Sequence, residues 1–371
     1  MAGRVRQPID IKALEDHLRL NVPEIKTPLD VKQFGFGQSN PTYLLTTPDG
    51  SRYVLRKKPP GKLLSKAAHK VEREYRIIAA LGQTDVPVPK AYHLCEDESV
   101  IGTPFYIMEF LDGRILEDAS MPGIPPEERT ELWKAAIHTL AKFHRVDFRA
   151  VGLSSFGQHS GFYDRQLATW KQICTMQEQA VDVDTKEPVG RIPHFDDMLA
   201  FFSTKHLQPR DRATLVHGDY KLDNMVFHKT EPRVIGILDW EMSTIGHPLS
   251  DLANFLNGFY TVALQPKYVS KDFRPGVTPG IPTPEDVLRW YADAAGGWDP
   301  RPEMGWAASF SIFRSAAIAQ GIAARVATRQ ATSEQAKSYA DAFKPLGEFA
   351  WSMVQEQQKK TAGGGGARTK L

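Results

Sequence analysis

The chain has 371 residues, of which 42% are hydrophobic and 24% charged, and a net charge of +2. That length suffices for two lobes with substantial cores, and the near-neutral balance gives no reason to expect nucleic acid or an anionic membrane as the main partner. Two cysteines, Cys95 and Cys174, exclude a disulfide framework and lead to an expectation of reduced thiols in an intracellular protein.

The opening residues carry no apolar run of a signal peptide, and no stretch approaches the roughly 20 apolar residues of a membrane span. Asp10 is placed to cap a short helix with Ile11, Leu14 and Leu18 on one face. Asn21, Pro23 and Pro28 stop it, so residues 1–30 read as a helical strap. From Val31 a strand–loop–strand follows, through Phe34-Gly-Phe-Gly-Gln-Ser-Asn-Pro41 to Thr42–Thr46, with Asp49-Gly50 as a hairpin turn. Gly35 and Gly37 free the backbone to approach a ligand, and Ser39 and Asn40 offer polar groups to phosphates. Arg52–Lys58 reads as the next strand, where alternation puts Arg56 and Lys58 on one face. A helix from about Ala68 to Leu81 carries Val71, Tyr75, Ile78 and Leu81 as its apolar stripe. Val86-Pro-Val-Pro-Lys90 is extended, Ala91–Leu94 and Thr103–Met108 are strand-like, and Met108-Glu-Phe-Leu-Asp-Gly113 breaks the pattern.

Glu128–His144 fits the helical period, with His144 as a packing or dipole residue near its end. Residues 151–211 hold helices near 167–177 and 195–202 and a proline-bearing loop, an insertion of the kind that covers a cleft and binds an acceptor. Asp251 is expected to cap the apolar helix it opens. Trp306–Val326 is a long alanine-rich helix whose Arg314, Gln320 and Arg325 are expected to face the acceptor. Thr332-x-x-Gln335 reads as a capping box for a last helix bent at Pro345. The tail, residues 362–371, is expected to be flexible. Its final Thr-Lys-Leu is one residue from the peroxisomal S-K-L address, so the expected compartment is the cytoplasm or the peroxisome.

Chemistry concentrates in His217-Gly-Asp-Tyr-Lys-Leu-Asp-Asn224 and in Ile237-Leu-Asp-Trp-Glu241. Short apolar runs flank the first stretch and lead into the second, which puts Asp219, Asn224 and Asp239 at or just beyond strand ends and therefore close together. Any one of them alone would be turn chemistry. The ordered set supplies what phosphoryl transfer needs: a carboxylate, Asp219, for the attacking hydroxyl, and an amide oxygen and a second carboxylate, Asn224 and Asp239, for magnesium. Asp-x-x-x-x-Asn is the spacing of a kinase catalytic loop. Set against the kinase V-A-I-K pattern, Tyr53-Val-Leu-Arg puts Arg56 where a lysine would grip phosphates, with Lys58 in reserve.

These stretches resemble the aminoglycoside phosphotransferase family. Phe34–Tyr43, Val54–Pro59 and Gly246-His-Pro-Leu-Ser-Asp251 narrow the resemblance to the kinase-like domain that precedes the dehydrogenase in acyl-CoA dehydrogenase family members 10 and 11. The resemblance implies an α/β (α+β), protein-kinase-like two-lobed fold. Residues 31–110 would be a nucleotide-binding lobe with an antiparallel sheet, and residues 111–361 a mainly helical catalytic and acceptor-binding lobe. It selects Glu74, over its neighbour Glu72, as the ion-pair partner of Arg56. It places backbone groups near Glu109 and Leu111 at a hinge that reads adenine. It implies ATP and Mg2+ as cofactors and a small-molecule hydroxyl as acceptor: a hydroxyacyl-CoA from the branch, an amino alcohol, sugar amine or antibiotic from the wider family. The basic residues at 56–58, 62, 66, 314 and 325 favour an anionic ligand such as a coenzyme A thioester. A nucleotide-binding pseudokinase is the alternative from another class, and the oligomeric state stays open.

Overall fold

The computed structural model describes residues 2–35, 40–59, 70–262, 264, 273–331 and 336–364. Gly37, Ser39, Lys62, Lys66, the Thr332–Gln335 box and the last seven residues lie outside these. In chain order the elements are β1 (Ala2–Gly3), α1 (Ile11–Asn21), β2 (Asp30–Phe34), β3 (Thr42–Thr46), β4 (Arg52–Lys57), α2 (Val71–Leu81), β5 (Ala91–Cys95), α3 (Glu98–Ile101), β6 (Phe105–Glu109) and β7 (Arg114–Ile115). There follow α4 (Pro126–His144), α5 (Phe162–Glu178), α6 (Phe195–Ser203), β8 (Thr214–Val216), β9 (Met225–Phe227), β10 (Val234–Ile237), β11 (Thr244–Gly246), α7 (Leu249–Phe255) and α8 (Asn257–Thr261). The chain continues through α9 (Pro284–Ala294), α10 (Arg301–Ala327), α11 (Ala336–Ala340) and α12 (Phe343–Gly364). No helix of the described residues is long and apolar enough to cross a membrane.

The chain forms two compact units, the first made of residues 1–119, 146–155 and 217–244 and the second of the rest. The stretch from His217 to Thr244 therefore belongs with the N-terminal strands, although a hundred residues separate them along the chain. The first unit is built on a six-stranded sheet of order β1-β2-β3-β4-β6-β5, antiparallel throughout. Side chains alternate across a sheet, so each strand serves two faces. Tyr43, Leu45, Leu55, Phe105, Ile107 and Cys95 form one face and pack with Leu14 and Leu18 of α1. Asp10 caps that helix through Oδ1, which accepts from the Ala13 N–H at 2.9 Å. The strand positions next along, Thr42, Val54, Arg56, Tyr106 and Met108, face a cleft instead. A three-stranded sheet, β10-β9-β7, closes the other wall.

The second unit is helical around α10, whose alanines, serines and glycines let neighbours approach closely. An aromatic cluster of Phe202, Trp306, Phe310 and Phe313 fills its core. Two expectations are corrected here. Asp251 lies inside α7 rather than at its cap, fully buried, where Oδ2 accepts from His144 Nε2 at 3.2 Å; His144 Nδ1 meets the Tyr291 hydroxyl at 2.8 Å. Pro345 falls in the first turn of α12, where no intrahelical N–H is needed, so it starts the helix and does not bend it. Gln320 is also buried, and its Nε2 donates to the Gly190 carbonyl at 2.8 Å.

His247 gives this unit an acid limit. It is fully buried; its Nδ1 accepts from the Leu249 N–H and its Nε2 donates to the Arg210 carbonyl, which makes it a neutral imidazole. Burial pushes its pKa down to about 4. The unfolded chain binds this proton near the usual histidine value and the folded chain does not. Stability is therefore lost as pH falls from about 6.5 towards 4, by about 3 kcal/mol in full. Urea unfolding at pH 7 and pH 4.5 is expected to show this loss, and His247→Gln to flatten it.

Candidate active site

The candidate residues of the first unit meet in a cleft of about 530 Å³ lined by Val54, Arg56, Tyr106, Met108, Glu109, Leu111, Asn224 and Asp239 among others. Arg56 is buried in it, and its guanidinium is shared. Nη1 lies 3.0 Å from Glu74 Oε2, while Nη1 and Nη2 both donate to Asp239 Oδ1 at 3.3 and 3.2 Å. Glu74 is fully buried in the first turn of α2, where the helix dipole also favours its charge. Tyr106 donates its hydroxyl to Oε2 at 2.9 Å and Asn40 donates its amide to Oε1 at 2.6 Å. Burial raises the pKa of Glu74 against the lowering by Arg56 and the Tyr106 hydroxyl. Burial likewise opposes the charge on Arg56, but Tyr106, Glu74, Asp239 and Glu241 together carry its pKa upward. The Glu74 oxygens face three donors, from Arg56, Tyr106 and Asn40, so the buried carboxylate is hydrogen-bonded at both oxygens.

Glu72 takes a different cation: Lys58 Nζ lies 2.6 Å from its Oε1. Lys58 lies just past the end of β4, and its charge is already paired. Asn40 is a departure from the expectation that it offers its side chain to phosphate. Its side chain turns into the protein and binds Glu74, because a carboxylate buried beside one arginine still has lone pairs to satisfy.

The catalytic-type loop is held by its own backbone. Gly218 adopts φ +86, and a Cβ there would sit 2.7 Å from the Met242 carbonyl oxygen, so no other residue fits. His217, buried against the Trp240 ring, accepts from the Asp219 N–H through Nδ1 at 3.2 Å and donates from Nε2 to the Leu238 carbonyl at 2.8 Å. A 3₁₀ turn at Leu222–Asn224 then brings Asn224 back, so that its Nδ2 donates to the Asp219 carbonyl at 2.9 Å and to Asp219 Oδ2 at 3.1 Å. The Leu238 N–H donates to the Asn224 carbonyl at 2.8 Å, which ties the end of β10 to the start of β9. Asp239 follows in the left-handed region, φ +64, a conformation that aspartate tolerates better than most residues.

Lys221 was not singled out by the sequence reasoning. Its Nζ lies 3.4 Å from Asp219 Oδ2 and 3.3 Å from Asp223 Oδ2. Burial lowers its pKa, but Asp219 and Asp223 outweigh that and raise it. A lysine two residues from each of two acids in one tight loop was the available signal. At the strand end, the Glu109 N–H donates to the Lys90 carbonyl at 2.9 Å, and its Oε2 accepts from the Lys90 N–H at 3.1 Å. Leu111 lies over Gly236, where a Cβ would meet its Cδ1 at 2.0 Å. A Cβ at Gly35 would meet no atom of the described residues within 4 Å, while Gly37 and Ser39 fall outside the described residues.

Residues 30–274 match the model of the phosphotransferase enzyme family. Mouse acyl-CoA dehydrogenase family member 10 is 39% identical over 348 residues, which is 93% of this chain and 31% of that protein. Rat acyl-CoA dehydrogenase family member 11 is 39% identical over 345 residues, 91% of this chain and 42% of that protein. The chain thus spans less than half the length of these curated relatives. A crystal structure from Ralstonia eutropha, described as a candidate aminoglycoside phosphotransferase, superposes with a TM-score of 0.79 at 36% identity, covering 94% of this chain and 99% of that one. Plasmodium vivax ethanolamine kinase, at 15% identity and a TM-score of 0.57 over 91% of this chain and 84% of its own, shares the fold. The α/β architecture, with its antiparallel N-terminal sheet and helical C-terminal portion, is that of these kinase-like enzymes, and the chain belongs to the phosphotransferase enzyme family.

Proposed function

We propose that the chain moves the γ-phosphoryl group of ATP to a small-molecule hydroxyl. The observation that carries this reading is the Arg56 guanidinium shared between Glu74 and Asp239 in the same cleft as Asn224. The residues present suit a metal-bound nucleotide. Arg56 Nε is buried with no hydrogen-bond partner, and neither Asn224 Oδ1 nor Asp239 Oδ2 has one among the described residues. An orphaned guanidinium N–H suits a phosphate oxygen, and an amide and a carboxylate oxygen are the hard ligands that magnesium takes. Magnesium, when bound, would offset the charge of the phosphates. Asn224 and Asp239 would hold it, and Arg56, oriented by Glu74, Tyr106 and Asn40, would hold phosphate oxygens. Asp219 would orient the acceptor hydroxyl and take its proton, with Lys221 beside it. Backbone groups of Glu109 and Leu111 would border the adenine.

For the acceptor, a hydroxyacyl-CoA is the reading supported by the acyl-CoA dehydrogenase relatives. The local charge argument is weaker than the sequence suggested, since Arg56 and Lys58 are already ion-paired. Incubating the protein with Mg·ATP and a panel of hydroxyacyl-CoA thioesters, amino alcohols and aminoglycosides tests this by mass spectrometry. A phosphate-sized mass gain confined to the thioesters is expected. Gain confined to amino alcohols or aminoglycosides would replace the acceptor, and no gain on any would favour a nucleotide-binding protein without transfer.

Arg56 on β4 and Lys58 just past its end separate cleanly. Arg56→Ala is expected to raise the ATP Michaelis constant and lower turnover, by roughly ten-fold each, because Glu74 then loses its partner. Lys58→Ala should change either by less than about two-fold, as a part-exposed ion pair contributes little. Arg56→Lys restores charge without the planar fork and should recover part of the loss. Steady-state kinetics with varied ATP would show the order, and a reversed order would transfer the role to Lys58.

A further inference from the structure

A second group of ligand-type side chains lies on the opposite face of the six-stranded sheet from the cleft. His93 and Cys95 are two residues apart on β5 and so share a face. That face is covered by α1, whose buried Leu14 and Leu18 flank His17. The Nε2 atoms of His17 and His93 stand 2.9 Å apart, and one nitrogen of each ring together with Cys95 Sγ lie within 4.8 Å of one another. Among the described residues this is the one such group of histidine, cysteine and carboxylate side chains. Cys95 is buried and the two rings are half-buried, so the group is walled by apolar core on one side and open to water on the other.

The short N···N contact is a hydrogen bond between the two rings. Asn21 Nδ2, which can only donate, lies 3.3 Å from His17 Nδ1, so that nitrogen accepts and His17 Nε2 carries the proton given to His93. Simple packing explains a histidine pair but does not require a thiol in reach of both rings. Two imidazoles and a thiolate are ligands of zinc, whose bonds to nitrogen (about 2.0–2.1 Å) and sulfur (about 2.3 Å) put tetrahedral ligand atoms roughly 3.3–3.8 Å apart. Opening the ring contact by a few tenths of an ångström and drawing Cys95 inward reaches that geometry.

We propose that His17, His93 and Cys95 bind one zinc ion, with water in the fourth position, and that the ion clips α1 to β5. Binding forms two Zn–N bonds and one Zn–S bond with no change of oxidation state. The Cys95 thiol proton leaves to water, and the ring proton of His17 moves from Nε2 to Nδ1, where Asn21 turns its amide oxygen to receive it. The site uses none of the residues proposed for phosphoryl transfer, so it stands or falls separately.

The test uses the full chain, stripped with a chelator and titrated with Co2+ as a spectroscopic stand-in, then with Zn2+. One cobalt per chain is expected, with a sulfur-to-cobalt charge-transfer band in the near ultraviolet. The band should vanish in Cys95→Ser and persist in Cys174→Ser, which removes the other thiol. Zinc should raise Tm in the parent, and His17→Gln, a change on a half-exposed helix face that leaves the fold intact, should weaken zinc affinity by roughly ten-fold or more. Absence of the band in the parent, its survival in Cys95→Ser, or equal zinc affinity in parent and His17→Gln would overturn the site.

Discussion

Asparagine at position 219 is expected to lower turnover by about 10²-fold or more while leaving nucleotide affinity within a few-fold of the parent. The substitution is nearly isosteric, and the loop's backbone bonds do not use the lost charge, although Asn224 Nδ2 also donates to Asp219 Oδ2 at 3.1 Å. Gly218, the His217 bridge and the Asn224 bond to the Asp219 carbonyl all involve the backbone at 219 or neighbouring residues. What disappears is the carboxylate that would take a proton, together with the charge that faces Lys221 at 3.4 Å. Single-turnover phosphoryl transfer, measured beside calorimetric binding of Mg·ATP, separates the two quantities. Turnover comparable to the parent would remove Asp219 from the proposed chemistry.

Asp239→Ala should act on binding as well as on rate. In the cleft Asp239 accepts from both terminal nitrogens of Arg56 through one oxygen. Alanine removes that acceptor and also the one carboxylate proposed to hold metal. Affinity for Mg·ATP should drop by roughly ten-fold or more, and raising magnesium should restore part of it. Glu74 still holds Arg56, so binding of ATP without metal should change much less. Unchanged Mg·ATP affinity by titration calorimetry would show that Asp239 is not the ligand.

The parts of this molecule that could be read from the sequence are those fixed by local periodicity. The helix ending at His144, the strand that carries Arg56, and the Asp10 cap are each determined within about a turn or a strand. Choosing between Glu74 and Glu72 needed the family resemblance, because both sit in the first turn of α2 and only the tertiary fold says which faces inward. Asn40 was misread for a related reason: its loop position favours a ligand role, and only the buried Glu74 carboxylate explains why it turns inward. The grouping of residues 217–244 with the N-terminal strands depends on long-range contacts that leave no local trace. The cap of α9 was visible and overlooked. Thr283-Pro-Glu-Asp286 is a capping box in which the Thr283 and Asp286 side chains each bond to the other's backbone N–H.

His217 sits in the motif by letter, and its two ring nitrogens are both engaged by backbone groups. One nitrogen accepts from the Asp219 N–H and the other donates to the carbonyl of Leu238, the residue before Asp239. A rigid five-membered ring is thus the gauge block between the two acidic positions, its width setting how far apart their backbones stand. The two carboxylates are consequently adjusted as one part. A change at 217 should blunt proton transfer and metal retention together, and this paired loss would distinguish a worn gauge from damage to either acid alone.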